Sequence, residues 1–597
     1  MFRLIKKYLK GYGLISLIGP LLKFFEAVIE LFIPLIVALI IDNGIANSDM
    51  PYIRRMGGLM LLLYTAGFAL AAACQFFAAK SAFGYGTNLR KDLFAHINRL
   101  PLSAMDGLGA GALVTRLSID INNTQNAINR FIRLATRSPF ILIGALIMSL
   151  RLSPPMALII LVSSVIISAM LFLIMRRSAP VLKSINRGLD EGARLTAENL
   201  AGTRAVRAHN MEAAAADRFA KTARGLKKDS ARLLRYSALT GPLTYLAVNV
   251  VILLILYFGG ASVYAGRLTQ GQVVALINYM LQILNALVVL AMLTVLFTRA
   301  ATSAKRINQV LETKPESGSE ECSNPHSPDS FRPCTAQPAL AQAFCKEEAL
   351  PYPSLPKAQT SAALEFKNVS LTYASRNTPS LNNISLSLQK GQTLGIIGGT
   401  GSGKTSLLKL LPRLYDYDGE AVFFGESIKD INLNSLRSSI AFVPQTPAVF
   451  SGNVRENIDM GRGFDDEILA AALNAAKCDF AVNLDSALLR GGKNLSGGQK
   501  QRLSIARALA GVISGDAKLL ILDDSFSALD YTTEYALRKE IEALGITKII
   551  VSGRALSIKN ADLILVLDEG NAVGLGKHGK LLQTCDVYKD IVRIQNS

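Results

Sequence analysis

The sequence predicts an α-helical membrane domain of six crossings fused to an α/β domain with a largely parallel sheet. Three observations carry this. Apolar runs longer than the roughly 20 residues that cross a bilayer lie almost wholly before residue 300. A proline-dense segment follows, and beyond residue 363 short apolar strands alternate with helical periods. The 597 residues also exceed the about 250–300 at which a single core stops growing. Half of them are apolar, 18% are charged, and the mean hydropathy is +0.31. Ordinary soluble domains carry about 25% charge, so disorder and a purely soluble enzyme are both excluded. The net charge of +19 in so apolar a chain fits a membrane protein with basic cytoplasmic loops, not a nucleic-acid binder.

The opening Met1–Lys10 is basic, and the apolar run behind it is too long for a cleaved signal peptide. It reads as an interfacial helix with Lys6, Lys7 and Lys10 near lipid headgroups. The first crossing, Gly13–Ile41, contains Lys23, Glu26 and Glu30 at i, i+3 and i+7, on one helix face. Charges at that depth face protein or a watery cavity. They read either as a cavity wall for cationic substrate or protons, or as a Lys–Glu pair that fixes packing; packing is preferred.

Met56–Ala79, Leu152–Met175, Tyr236–Gly266 and Leu268–Thr298 are uncharged and supply crossings two, four, five and six. The third, Ser138–Leu150, is short and borrows length from Leu134–Thr136. Between crossings four and five, Arg176–Arg235 holds 14 Lys/Arg against 6 acids, and Lys80–Arg137 holds 8 against 3. The positive-inside rule places both loops, both termini and the α/β domain in the cytoplasm of a multi-pass plasma-membrane protein. Both loops also have helical composition, so crossings that continue as cytoplasmic helices are expected.

From Thr313 to Ala362 eight prolines exclude helix and strand, giving a mobile linker. Its Cys322, Cys334 and Cys345 match no familiar metal or redox spacing. With Cys74, Cys478 and Cys585 they suit a reduced, cytoplasm-facing chain. Beyond it, Leu364–Thr372, Ser385–Leu388, Thr393–Ile397, Ile440–Val443, Lys518–Leu522, Lys548–Val551 and Leu563–Leu567 read as strands. Ser406–Arg413, Asp466–Ala476, Gly498–Leu509 and Thr532–Glu542 read as helices.

Three motifs in this half carry chemistry. Gly398-Gly399-Thr400-Gly401-Ser402-Gly403-Lys404-Thr405 lies between a strand and a helix. Its glycines let backbone N–H groups curl around phosphates, with Lys404 reaching the β/γ-phosphates and Thr405 ligating Mg²⁺. A second, Lys518–Asp524, is a buried strand ending in Asp523 and Asp524, and Asp523 suits Mg²⁺ or its water shell. The third, Asn494–Arg502, contains Ser496, Gly497, Gly498 and Gln499 at a helix start, a second anion site. Two such helix ends serve one nucleotide only if two domains meet face to face.

On these residues the chain resembles the ATP-binding cassette (ABC) exporters over essentially its whole length. The phosphate loop, Gln445, the Leu495–Gln499 signature, the Asp523 strand and Ser527–Asp530 follow the family's order. The resemblance implies that ATP and Mg²⁺ are the cofactors, that Tyr373 stacks on adenine, and that Gln445 joins Thr405 and Asp523 at Mg²⁺. It also places Met105–Leu113 and Val206–Ala213 near the two coupling helices.

Two departures from the family qualify this. Its general base, a glutamate, is here Asp524, shorter by about 1–1.5 Å. Its switch histidine is here Gly553. A general base must reach its water, and a 1 Å misplacement costs on the order of 10²-fold. A smaller departure, Leu489–Lys493, replaces a segment that usually carries a glutamate.

The reading is a half-transporter: membrane domain 1–312, linker 313–362, ATP-binding domain 363–597. Its expected partner is a different half-transporter with intact Glu and His, this chain holding the weak ATP site and exporting a drug, lipid or peptide. A homodimer with slow hydrolysis and an ATP-gated regulator or channel are the alternatives. A fused, C-terminal ATP domain disfavours an importer.

Overall fold

A computed structural model describes residues 1–316, 362–373, 376, 378–481 and 483–596. Cys322, Cys334, Cys345 and seven of the eight linker prolines lie outside the described residues. Contacts divide the chain into one unit of Met1–Ala95 with Gly111–Glu312, and a second of His96–Ala110 with Thr313–Ser597.

The first unit is helical. A short α1 (Phe2–Tyr8) precedes α2 (Gly13–Leu39) and α3 (Met50–Ile97). Leu4 and Tyr8 are buried, and the Tyr8 ring meets Tyr85 edge-on while Lys7 lies 3.6 Å from Asp92. The opening helix is therefore held against α3 as well as being basic. Pro20 and Pro34 sit within α2, and a wide π turn at Ile40–Ile45 ends it; membrane helices tolerate such interruptions where neighbouring helices or local π adjustments re-satisfy the freed backbone groups.

The third crossing is longer than its apolar stretch. After α4 (Leu102–Leu108), which belongs to the second unit, α5 (Ala110–Thr115), α6 (Ile121–Arg130) and α7 (Arg137–Leu152) join through π turns into one 43-residue rod. The next crossing, α8 (Pro154–Ala201), starts with proline in its first turn, where no N–H is needed. Then come α9 (Thr203–Ala208), α10 (Glu212–Tyr264) and α11 (Gln270–Glu312). The two basic loops are thus continuations of membrane helices, as their composition predicts. The helix expected near Val206–Ala213 is α9, a few residues earlier.

Polar ties fasten these helices to one another. Asp42 accepts from Thr269 Oγ1 (2.5 Å) and the Gly271 N–H (2.8 Å). Gly271 itself lets α11 close on α2, since a Cβ there would fall 2.3 Å from the Ala38 carbonyl oxygen. The Tyr279 hydroxyl donates to the Leu31 carbonyl at 2.7 Å. Asp120, fully buried, takes both an Nε and an Nη bond from Arg306. The charged triplet of α2 is consumed the same way: Lys23 bonds Glu26 at 2.5 Å and Arg137 of α7 bonds Glu30 at 2.6 Å.

In the second unit a six-stranded sheet runs β12-β11-β3-β10-β9-β6. Its members are β3 (Thr393–Gly398), β6 (Ile440–Val443), β9 (Leu519–Asp523), β10 (Thr547–Val551), β11 (Leu563–Asp568) and β12 (Asn571–Gly576). All neighbours are parallel except the β11–β12 edge pair. Every residue of β9 and β10 is buried, as expected for central strands read as unbroken apolar runs.

A separate antiparallel sheet, β2-β1-β4-β5, holds β1 (Ala362–Leu371), β2 (Leu381–Gln389), β4 (Asp418–Phe423) and β5 (Glu426–Ser427). A two-stranded ribbon pairs β7 (Gly452–Asn453) with β8 (Ala487–Leu488). The helices are α12 (Lys404–Leu410), α13 (Leu433–Ser438), α14 (Val454–Asp459), α15 (Asp466–Ala475), α16 (Gly497–Ile513), α17 (Tyr531–Ala543), α18 (Ala555–Ile558), α19 (His578–Thr584) and α20 (Asp586–Asn596).

Candidate nucleotide site

Parallel strands put their C-terminal ends at one sheet edge, where α/β proteins bind ligands. Four of the predicted segments leave that edge together. The phosphate loop follows β3, the Gly553 segment follows β10, Asp523 and Asp524 end β9, and Gln445 lies just past β6. Backbone bonds cross between them: Asp524 N–H donates to Val551 O (3.1 Å) and Ser552 N–H to Ile396 O (3.2 Å). Ser525, fully buried, hangs from Val443 O at 3.4 Å and ties the β6 end to the aspartates.

The phosphate loop is shaped for an anion. Gly401 and Gly403 have φ of +83° and +99°, which side chains disfavour. A Cβ on Gly398 would sit 2.0 Å from Leu567 O, so the loop packs directly on β11. Lys404 folds its Nζ onto the Gly398 and Gly399 carbonyls at 2.8 and 2.6 Å. Burial lowers its pKa, against an upward pull from Asp524 and Asp523. Thr405 Oγ1 donates to Asp523 Oδ1 at 3.3 Å. Asp523 is 2% exposed, and burial raises its pKa, the Thr405 bond opposing. A lysine satisfied only by its own loop, glycines with open space at 399 and 401, and a hydroxyl–carboxylate pair fit a nucleotide phosphate with its cation.

Tyr373 lies beside α12, its hydroxyl donating to Ser406 Oγ at 2.9 Å. Its ring meets Tyr415 edge-on at 5.0 Å, and the Tyr415 hydroxyl donates to Asp106 of α4 at 2.5 Å. Burial first, then that carboxylate, raises the Tyr415 pKa. The adenine-stacking candidate is therefore two side chains from α4, a link that no motif announces. That helix, Leu102–Leu108, begins three residues before the range expected for it.

Ser496 and Gln499 are used locally: each caps the other's backbone N–H in a capping box (3.3 and 2.8 Å). The first-turn N–H groups of Gly497 and Gly498 remain the donors of that helix start. At Gly553 a Cβ would meet nothing within 4 Å, so the missing side chain leaves open space. Asp524 itself is left-handed, with φ +46°.

Known families match both halves. Residues 16–287 match the family model for the ABC transporter transmembrane region, and residues 381–527 match the ABC transporter family model. The chain is 33% identical over 595 residues to an uncharacterized ABC transporter ATP-binding protein, YfiB, of Bacillus subtilis, covering 98% of this chain and 97% of that one. It is 28% identical over 606 residues to an uncharacterized ABC transporter ATP-binding protein of Mycobacterium tuberculosis, covering 100% and 98%. It is 27% identical over 559 residues to an ATP-dependent lipid A-core flippase of Photobacterium profundum, covering 92% and 88%. A phosphate loop at the edge of a parallel sheet, behind six apolar helices, agrees with these matches along the whole chain, which belongs to the ABC transporters as an exporter half-transporter.

Proposed function

We propose that this chain is one half of a heterodimeric exporter and supplies its weakly hydrolytic ATP site. The combination at residues 524 and 553 carries the reading. Asp524 stands where the family has its glutamate, so the carboxylate is drawn back from any water at the γ-phosphate. Gly553 leaves open the space where the family's histidine stands, so residue 553 offers that phosphate no side-chain donor. The signature Leu495–Gln499 is intact and serves the partner's nucleotide across a head-to-tail pair.

In this site Gly398–Gly403 and Lys404 cradle phosphates and Tyr373 carries the adenine. Thr405, Gln445 and Asp523 hold Mg²⁺, which neutralises phosphate charge when bound. Gln445, just beyond β6, and Asp524 face the attacking water. Two bound nucleotides favour a closed pair, and that difference in affinity shifts the membrane domains from inward to outward access. Hydrolysis at the partner's stronger site resets the cycle. The basic loops favour a cytoplasmic side for the termini and the ATP domain. The cargo is of drug, lipid or peptide class, and the flippase relatives favour a lipid.

Tagged chain, purified from its own membranes, tests the pairing. A different half-transporter in equal amount supports the reading; the chain recovered only with itself contradicts it. Substrate accumulation in inverted vesicles separates an exporter from an ATP-gated channel, which cannot accumulate anything.

A further inference from the structure

The segment that leaves β10 lacks a side chain at residue 553, yet its backbone is held on both sides. Gln595, in the last turn of α20, donates from Nε2 to the Gly553 carbonyl at 2.6 Å. Its Oε1 accepts from the Ala555 N–H at 2.7 Å. One amide therefore closes both ends of the same three-residue turn. The rest of the segment is fastened to α17. Glu534, 5% exposed, accepts from Ser557 Oγ at 2.8 Å and pairs with Arg554 at 3.4 Å.

The helix that carries the exposed Gln595 is anchored on the core through its earlier turns. Tyr588 of α20 is fully buried and its hydroxyl lies 2.7 Å from His578 Nδ1. Val587, Ile591 and Val592 pack on the same core. A glycine at 553 is the residue most free to wander, and it has no side chain with which a phosphate could restrain it.

We infer that Gln595 is a positioning residue of the nucleotide site: the C-terminal helix clips the switch backbone through this amide, so residue 553 stays at the phosphate edge with or without nucleotide. The clip also lies beside the aspartates, because just before the turn Val551 O accepts the Asp524 N–H and the Ser552 N–H donates to Ile396 O. The inference rests on reading Gly553 as the switch position.

The test uses the full chain with its partner half in lipid nanodiscs. Hydrogen exchange is followed at 552–556, together with release of radiolabelled Mg-ATP. Gln595→Ala is expected to speed exchange at 552–556 about tenfold, the scale of one or two lost hydrogen bonds, while 586–592 stay protected. ATP release from this chain's site should quicken several-fold. Gln595→Glu keeps the shape and the acceptor for Ala555 but loses the donor to Gly553, so it should fall between. Unchanged exchange at 552–556 in Gln595→Ala, or wild-type exchange in Gln595→Glu, overturns the clip.

The Asp524→Glu/Gly553→His double variant separates the clip from the reading it rests on. No gain in hydrolysis there, with Gln595→Ala still loosening the turn, removes the switch assignment and leaves the clip. A gain that Gln595→Ala does not reduce removes the clip.

Discussion

Gly553 and Gly398 are both glycines of the phosphate edge, and their surroundings predict opposite responses to a side chain. Residue 553 has open space and no left-handed backbone. Gly553→His should therefore shift stability by less than about 0.5 kcal/mol, read as an unchanged unfolding midpoint. Gly398→Ala should displace the phosphate loop, because its Cβ would collide with Leu567 O, and ATP affinity should fall at least tenfold in a filter-binding assay. Lys404→Ala should cost ATP affinity as well, since its two carbonyl partners are released without a cation to meet phosphate. Asp524→Glu lengthens the carboxylate at a left-handed position that aspartate tolerates better, at a cost of at most about 1 kcal/mol.

At the scale of elements, the C-terminal pair α19–α20 should sense acid. Burial, aided by Lys559, holds the His578 pKa below its usual 6.5. The folded state thus prefers neutral imidazole, so this contribution to stability is present above about pH 6.5 and is lost as pH falls through the lowered value. His578→Gln should flatten that acid-side slope in thermal melts between pH 7.5 and 5. The central strands, five of the crossings and the phosphate loop were legible because their signals are local: unbroken apolar runs and a spaced motif. The antiparallel sheet was only half legible. Of its strands β4 begins with three exposed residues, two acids around a glycine, and β5 has two residues, so neither shows a period. The third crossing looked short because π turns and polar residues at Arg116–Arg130 hide its length. The Ser496/Gln499 capping box was readable from its spacing, whereas Tyr415 and Gln595 act through partners about 309 and 42 residues away in the chain.

Across the membrane unit as a whole, charge is spent on holding helices together. The Lys23, Glu26, Glu30 and Arg137 side chains pair with one another, which favours the packing reading of the triplet over a cation site. Glu26→Gln and Glu30→Gln are expected to lower thermal stability while leaving the range of transported substrates unchanged. Arg306→Ala leaves the wholly buried Asp120 carboxylate without its ion partner and should cost on the order of 3 kcal/mol, measured by thermal unfolding in detergent. The largest claim about the molecule is that its own ATP site binds more than it hydrolyses. Steady-state ATPase of the chain purified alone, with and without Asp524→Asn, addresses that most directly. A rate below about 0.1 per second, indifferent to Asp524→Asn, is predicted. A rate of about 10 per second or more that Asp524→Asn abolishes would contradict it.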